Sequence, residues 1–164
     1  MITVTKKFNF PIGHCLLNYD GPCANIHGHN IDLEVTFGIR HYMSLDNAGF
    51  VIDFNEIKKG IGSWVEESFD HAFFVNPMDA SMLKLLMDRN SKHIIMPNNI
   101  LQYGDHTGLY NPTMENIALI IGVKAYNFAH LKNLIFIKVR LYESDTGWVE
   151  VDNESIVTRI FKQN

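Results

Sequence analysis

The sequence has little cysteine, no excess of positive charge and no long apolar run. Its 164 residues include only two cysteines, Cys15 and Cys23, which are too few for a disulfide framework and are expected as free thiols. The formal net charge is -4 at pH 7, without the basic stripe that neutralises a nucleic-acid backbone. No stretch approaches the roughly 18 apolar residues of a membrane helix, and residues 1–10 lack the apolar core of a signal peptide. We therefore expect a soluble, cytoplasmic protein that binds neither nucleic acid nor a membrane.

Internal repeats, low-complexity tracts and Gly/Ser/Pro-rich linkers are also absent from the sequence. With 46% hydrophobic residues, the chain is long enough to bury a substantial core. The sequence therefore predicts a single domain over residues 1–164.

Alternation of polar and apolar residues predicts strands near both ends of the chain. Many of the alternating residues are β-branched or aromatic, which favours strands. The predicted strands cover residues 3–10, 31–37, 134–142 and 148–151. The last two flank a turn at residues 144–147 and form a predicted hairpin. Residues 155–161 also alternate, and they are expected to add one more strand or a terminal extension.

Apolar residues at helical spacing lie between these two groups of strands. A helix is predicted from an Asp53 N-cap to about Phe69, a second over residues 79–89 and a third over residues 112–129. Residues 98–110, rich in Asn and Gly, are expected to form a loop. Strands, then helices, then strands predict an α+β fold with an antiparallel sheet.

Three histidines lie where two adjacent strands would bring them together. His27 and His29 stand at the start of a predicted strand, where residues i and i+2 project to the same side, and Gly28 leaves room for the backbone. His14 comes about a dozen residues earlier. Three histidines without an obvious fourth protein ligand predict a catalytic zinc with one open position for water or substrate.

Two other interpretations of these residues stay open. In the first the histidines are ordinary loop residues, and in the second Cys23 completes a closed, structural four-ligand site. Cys15 adjoins His14 but points to the opposite face of the strand, so a packed thiol is expected there. The other histidines lack such neighbours and are expected to face solvent or cap local structure: His41, His93, His106 and His130.

Cys23 and the Asp70-His71 pair are the candidate acid-base groups. A thiol close to zinc and a second histidine loses its proton more easily than a free cysteine, which suits a base or a nucleophile. A carboxylate such as Asp70 can fix the tautomer of His71 and raise its basicity, which suits a proton donor, although neighbours in sequence need not touch and Asp70 can also act through other groups. Asp-His is also a common dipeptide, so a pair without function is the alternative.

Two further segments are candidates for substrate contacts. Glu143 lies at the end of a predicted strand, where its carboxylate would accept paired N–H groups from a guanine-like ring. The alternative for Glu143 is a solvated acid at a strand end. Residues 111–115 either contribute to the pocket or form only a helix start, capped by Thr113 and Glu115.

In their order along the chain, these motifs resemble the family of 6-pyruvoyl-tetrahydropterin synthase and 6-carboxy-5,6,7,8-tetrahydropterin synthase. The second of these enzymes works in queuosine and 7-deazaguanine biosynthesis. Cys-x3-His-Gly-His with an upstream histidine and a downstream Asp-His is a specific combination. The matching segments are F-N-F-P-I-G-H (8–14), C-A-N-I-H-G-H-N (23–30), V-I-D-F (51–54), F-D-H (69–71) with Asn76, N-P-T-M-E-N (111–116) and L-Y-E (141–143).

The resemblance implies a zinc enzyme, with one ion per subunit, that acts on 7,8-dihydroneopterin triphosphate. The substrate's side-chain hydroxyls would take the open zinc position and become more acidic there. Cys23 would remove a side-chain proton, and His71 would deliver one to the ring as triphosphate leaves. The implied site residues are His14, His27 and His29 for zinc, Cys23, Asp70 and His71 for catalysis, and Glu143 with Thr113 for the pterin.

The three residues between Cys23 and His27 look like those of the bacterial carboxy branch, whose products are 6-carboxytetrahydropterin, acetaldehyde and triphosphate. The pyruvoyl synthase, which eliminates triphosphate, is the alternative within the family, and a non-catalytic zinc-stabilised binding module is the alternative outside it.

The resemblance also implies the tunnelling fold, or T-fold. In this fold an antiparallel sheet with helices on one face assembles into a barrel, usually as a homohexamer with active sites between subunits. Two features depart from the family pattern: residues 72–110 are longer than in short bacterial members, and no motif fixes the residues that would bind triphosphate.

Overall fold

A mixed sheet of six strands forms the frame of the molecule. The computed structural model describes residues 1–97 and 110–161. The strands are β1 (Ile2–His14), β2 (His27–Ile39), β3 (Ala72–Val75), β4 (His93–Ile95), β5 (Ile135–Ser144) and β6 (Gly147–Asp152). Their order across the sheet is β4-β3-β1-β2-β5-β6. Neighbours in the run β1-β2-β5-β6 are antiparallel, whereas β3 is parallel to β1 and β4 is parallel to β3.

Helices follow β2, β3, β4 and β6 along the chain. They are α1 (Phe54–Ile57), α2 (Ser63–Ser68), α3 (Ala80–Asp88), α4 (Met114–Leu131) and α5 (Asn153–Phe161), with a π-helical turn, Lys58–Gly62, between α1 and α2. The Asp53 carboxylate accepts the N–H of Asn55 and begins α1, and Thr113 Oγ1 accepts the N–H of Asn116 and begins α4. None of the helices in the described ranges is long and apolar enough to cross a membrane.

One face of the sheet carries the core. Every second residue of the central part of β2 is apolar and fully buried, namely Ile31, Leu33, Val35 and Phe37, as the pleat of a half-buried strand requires. Helix α4 packs on this face with Ile117 and Ile121 fully buried. On the opposite face Lys7 pairs with Glu34, so the helices and the core lie on one side of the sheet.

The α+β fold class predicted from the sequence is confirmed. Strands from both ends of the chain pair in one sheet, and most of the helices come from the segment between them. The hairpin of β5 and β6 and the helices α3 and α4 form where the patterns placed them. Strands β3 and β4 were not predicted. They have four and three residues, and segments this short show too little alternation to be recognised. They extend the predicted antiparallel sheet by two parallel strands.

The end of the chain differs from the expectation of a strand or extension over residues 155–161. These residues belong to helix α5. The Asp152 carboxylate accepts hydrogen bonds from both the N–H and the hydroxyl of Ser155, a helix-start signal that the local alternation masks. Ile156 is fully buried against Gly122 of α4, so packing on a helix replaces strand pairing. The predicted loop at residues 98–110 lies, except for Tyr110, outside the described residues.

Candidate functional site

Strand register brings His14, His27 and His29 together at one end of β1 and β2. His14 ends β1 and pairs with His27, the first residue of β2, while His29 pairs with Ile12. The three rings therefore project from the same face of the sheet. Their centroids lie 4.4 to 5.1 Å apart, and one nitrogen of each ring lies within 4.8 Å of the others. This group can hold a metal ion.

Gly28 allows the two strands to approach closely between the histidines. A Cβ atom at residue 28 would lie 2.6 Å from the carbonyl oxygen of Ile12, which is closer than a side chain tolerates. Backbone packing therefore requires glycine at this position and accounts for the His-Gly-His spacing.

Hydrogen bonds to main-chain carbonyls orient two of the three rings. His14 Nδ1 lies 2.6 Å from Pro112 O, and His27 Nδ1 lies 2.8 Å from Asn25 O. A carbonyl oxygen only accepts hydrogen bonds, so each Nδ1 carries the proton and each Nε2 keeps a lone pair. Metal-binding histidines use this arrangement, in which the second ring nitrogen donates to a carbonyl.

Two ring nitrogens of the cluster have no hydrogen-bond partner within the described part of the chain. His14 Nε2 and His29 Nε2 are both buried and unbonded, which is costly for a polar atom without a ligand. Glu143 Oε1 lies 3.2 Å from His29 Nε2, but this contact is not aligned as a hydrogen bond. Burial lowers the pKa of His14, and the neighbouring His27 and His29 lower it further, so the neutral imidazole that binds metal is favoured. The three histidines therefore fit a divalent ion such as zinc.

A pocket of about 320 Å³ opens beside His14. Cys23, Thr113 and Glu143 line it, and further residues complete its walls: Leu16, Met114, Glu115, Gly147, Trp148 and Val149. Cys23 is half-buried in the 3₁₀ turn Pro22–Ala24, and its carbonyl accepts the N–H of Leu16 at 2.8 Å. In the described ranges its sulfur does not join the group of histidine nitrogens. Cys23 therefore lines the same pocket as His14 without completing a four-ligand set.

The Asp70-His71 pair lies apart from this pocket within one chain. His71 Nδ1 is 3.1 Å from Asp70 Oδ1, so the two side chains are in contact. His71 has a left-handed backbone conformation, with φ of 59°, and its N–H donates to Pro11 O. Its side chain is 78% exposed. Asp70 and His71 each line a separate surface depression, and neither contributes to the walls around Cys23.

Residues 3–154 match the sequence model of the 6-pyruvoyl tetrahydropterin synthase family. The chain belongs to this family. The 6-carboxy-5,6,7,8-tetrahydropterin synthase of Rickettsia bellii is 30% identical over 162 residues, which cover 92% of this chain and 100% of that protein. The protein of the same name from Haemophilus influenzae is 29% identical over 153 residues, which cover 92% of this chain and 98% of that protein.

Solved structures of a pterin synthase and of an uncharacterized protein share the fold of this chain. The 6-pyruvoyltetrahydropterin synthase of Plasmodium vivax matches with a TM-score of 0.63 and 18% identity, over 92% of this chain and 96% of that one. An uncharacterized protein from Wolinella succinogenes matches with a TM-score of 0.68 and 19% identity, over 93% and 98%. Because the sequence identities are this low, the structural similarity shows the fold alone. It confirms the predicted T-fold. Membership of the family confirms the expected class of enzyme, a lyase-type pterin synthase.

Two groups that position the site were not recognised as such from the sequence. Pro112 supplies the carbonyl that orients His14, and the side chain of Asn111 binds both backbone groups of Leu17. Both belong to the family segment at residues 111–116, which the sequence suggests as a pocket wall or a helix start. The Asn-Pro pair at residues 111–112 is the sequence feature that marks this segment, and it does not reveal that the Asn111 side chain is buried.

Among the described residues, Cys15 and the histidines outside the cluster do not line the pocket. His41 and His130 are exposed, and His93 Nδ1 is 2.8 Å from a main-chain carbonyl two residues before it. Cys15 is buried, and burial raises the pKa of its thiol, in keeping with a packed residue. His106 falls outside the described residues.

Proposed function

We propose that this family member is a zinc-dependent lyase acting on 7,8-dihydroneopterin triphosphate. The products would be 6-carboxy-5,6,7,8-tetrahydropterin, acetaldehyde and triphosphate. The observation that carries the proposal is the single pocket lined by His14, Cys23, Thr113 and Glu143. The names of the Rickettsia and Haemophilus relatives support the carboxy product over the pyruvoyl product.

Glu143 is the proposed anchor for the pterin ring. It lies on β5 where the pairing with β6 becomes irregular, between Tyr142 and Ser144, and its side chain is 40% exposed. Two carboxylate oxygens match the paired N–H donors of the pterin's aminopyrimidinone edge, which makes a charge-assisted bidentate contact. Thr113 Oγ1 already accepts a hydrogen bond from its own helix. We therefore propose that the Thr113 hydroxyl acts as a hydrogen-bond donor to the pterin ring.

His14, His27 and His29 are the proposed zinc ligands. Zinc held by these three imidazoles would polarise the side-chain hydroxyls of the substrate and increase their acidity. Strand register and the two carbonyl bonds fix the rings independently of substrate. The chain therefore supplies a preorganised set of nitrogen ligands, as catalytic metal sites require.

Cys23 is the proposed base, and His71 is the proposed acid. The Cys23 thiolate would take a proton from the substrate side chain, and His71 would give one to the ring while the C–O bond to triphosphate breaks. The resulting diketone side chain would take up one water, and its C–C bond would then split into a ring carboxylate and acetaldehyde. Because Asp70 and His71 lie apart from Cys23 in one chain, we propose that a neighbouring copy in a homohexamer supplies them.

Product analysis tests this function directly. The zinc-loaded protein is incubated with 7,8-dihydroneopterin triphosphate, and the products are identified by mass spectrometry, with Cys23→Ala as the control. We expect 6-carboxytetrahydropterin and acetaldehyde from the wild type, and bound zinc without turnover from Cys23→Ala. Pyruvoyl-tetrahydropterin as the end product would assign the protein to the sister branch.

The alternative of a non-catalytic zinc-stabilised module is separated by the same experiment. If Cys23 were a fourth ligand, Cys23→Ala would lose zinc and thermal stability together, and the wild type would show no turnover. A single domain over residues 1–164, a cytoplasmic location and the homohexamer remain predictions of this proposal.

A further inference from the structure

We propose that Asn111 is a positioning residue that sets the place of Cys23 against the pocket, a role that rests on the proposed function of Cys23 as base. Asn111 Oδ1 accepts the N–H of Leu17 at 2.9 Å, and Asn111 Nδ2 donates to Leu17 O at 2.9 Å. One side-chain amide thus binds both backbone groups of one residue. Leu17 belongs to the loop between β1 and β2 that carries Cys23, and Leu16 N–H donates to Cys23 O at 2.8 Å. The Asn111 amide is therefore linked to the thiol-bearing turn through two adjacent loop residues.

A second asparagine fixes the orientation of the Asn111 amide. Asn76 Nδ2 donates to Asn111 Oδ1 at 2.8 Å, and Asn76 Oδ1 accepts the N–H of Met78 at 2.9 Å. A main-chain N–H can only donate, so it determines which end of the Asn76 amide is the acceptor, and hence which end of Asn111 faces each group of Leu17. Asn76 is 3% exposed and Asn111 is 9% exposed, so water does not compete strongly for these bonds.

The residues next to Asn111 bind the other parts of the same site. Pro112 O accepts the proton of His14 Nδ1 at 2.6 Å, and Thr113 lines the pocket and caps α4. Asn111 O accepts hydrogen bonds from Thr113 N–H and Asn116 Nδ2, both at 2.8 Å. Three consecutive residues therefore contact the Cys23 loop, a proposed metal ligand and the pocket wall. Through Asn111, the position of the loop is fixed relative to the other parts of the site.

Asn111→Ala tests the role, with Thr36→Val as a matched control. Thr36 is also buried, and its hydroxyl is 2.9 Å from Thr5 Oγ1 far from the pocket, so Thr36→Val removes one partly buried hydrogen bond without touching the loop. For Asn111→Ala we expect amide exchange of residues 15–25 to be at least tenfold faster, because the two groups of Leu17 lose their partner. We also expect kcat to fall at least tenfold, KM to change less than about twofold and zinc content to be unchanged.

Asn76→Ala is the second variant in case Asn111→Ala does not fold. It removes the hydrogen bond that orients the Asn111 amide but keeps Asn111 itself beside Leu17, so we expect a smaller rise in loop exchange and a smaller loss of kcat. If both variants lower Tm as Thr36→Val does while loop exchange and kcat stay at the wild-type values, Asn111 is only structural and the inference is wrong. Loop exchange needs no substrate, so it decides the role of Asn111 even if the wild type fails to turn over the pterin.

Discussion

In the histidine cluster at the ends of β1 and β2, His14 is buried, His27 and His29 are half-buried, and two of the three rings are bonded to carbonyls, whereas His71, just before β3, is 78% exposed. The cluster is assembled by the longest strand pair of the sheet, in which 13 residues of β1 face 13 of β2. The Asp70-His71 turn contains a left-handed residue, and it is held by a few local hydrogen bonds, among them those from His71 N–H to Pro11 O and from Lys92 Nζ to Asp70 O. The proposed metal ligands are thus held in place by strand pairing within one chain. The proposed acid-base pair lies at the surface, where we propose that a second copy contacts it.

This difference predicts that substitutions in the two regions change different observables. Damage to the cluster should change metal content and stability, because its members share a buried, ordered environment. Damage to the Asp70-His71 turn should change turnover alone, since exposed side chains contribute little to folding free energy.

His29→Ala should have the largest effect. The change removes one of the three proposed nitrogen ligands, so we expect bound zinc below about a tenth of the wild-type content and a loss of kcat/KM of about 1,000-fold or more. Metal analysis and steady-state kinetics measure this. His130→Ala, at the exposed end of α4, is the control and should keep both values. Full zinc content in His29→Ala would remove this residue from the proposed ligand set.

Mixing two inactive variants tests where the acid-base pair acts. Cys23→Ala and His71→Ala should each be inactive with zinc retained. If Asp70 and His71 act on the pocket of a neighbouring copy, co-expressed subunits that assemble at random should recover about a quarter of wild-type activity, because half of the copies supply each intact group. The check is kcat of the purified mixed oligomer. No recovery in a verified mixed oligomer would place the pair and Cys23 in the same chain.

Glu143→Gln should have an intermediate effect, and it tests whether Glu143 belongs to the histidine cluster or binds the pterin. The carboxylate lies 3.2 Å from His29 Nε2, yet we assign it to the pterin and not to the metal. Loss of one charge-assisted pair should lower kcat/KM by about 10- to 100-fold, chiefly through KM, with zinc unchanged. Isothermal titration with a pterin and metal analysis separate these effects, and zinc loss would show that Glu143 belongs to the metal group.

The parts of the site that follow strand periodicity could be predicted from the sequence. His27 and His29 have the i, i+2 spacing of one strand face, and His14 lies one connection away, so register alone brings them together. The position of the Asp70-His71 pair could not be predicted in the same way, because it depends on β3, a four-residue strand without a clear pattern. The role of Asn111 depends on contacts with residues 35 and 94 positions away, which no local pattern encodes.

Lys92→Met should have the smallest effect and probes the support of the Asp70-His71 turn. Lys92 Nζ donates to the carbonyl oxygens of Asp70, at 2.6 Å, and Glu66, at 3.2 Å, so it connects the segment between β3 and β4 to the end of α2. Loss of these exposed bonds should lower kcat about threefold and leave zinc content unchanged.

Lys84→Met is the matched control for Lys92→Met, because Lys84 lies in the same segment but pairs only with Asp88 on the exposed side of α3. It should leave kcat unchanged, since an exposed i,i+4 ion pair contributes little. Equal kcat values for the two lysine variants would show that the turn holds its geometry without Lys92. A loss of zinc in Lys92→Met would instead show that the Asp70-His71 turn affects metal binding by the histidine cluster.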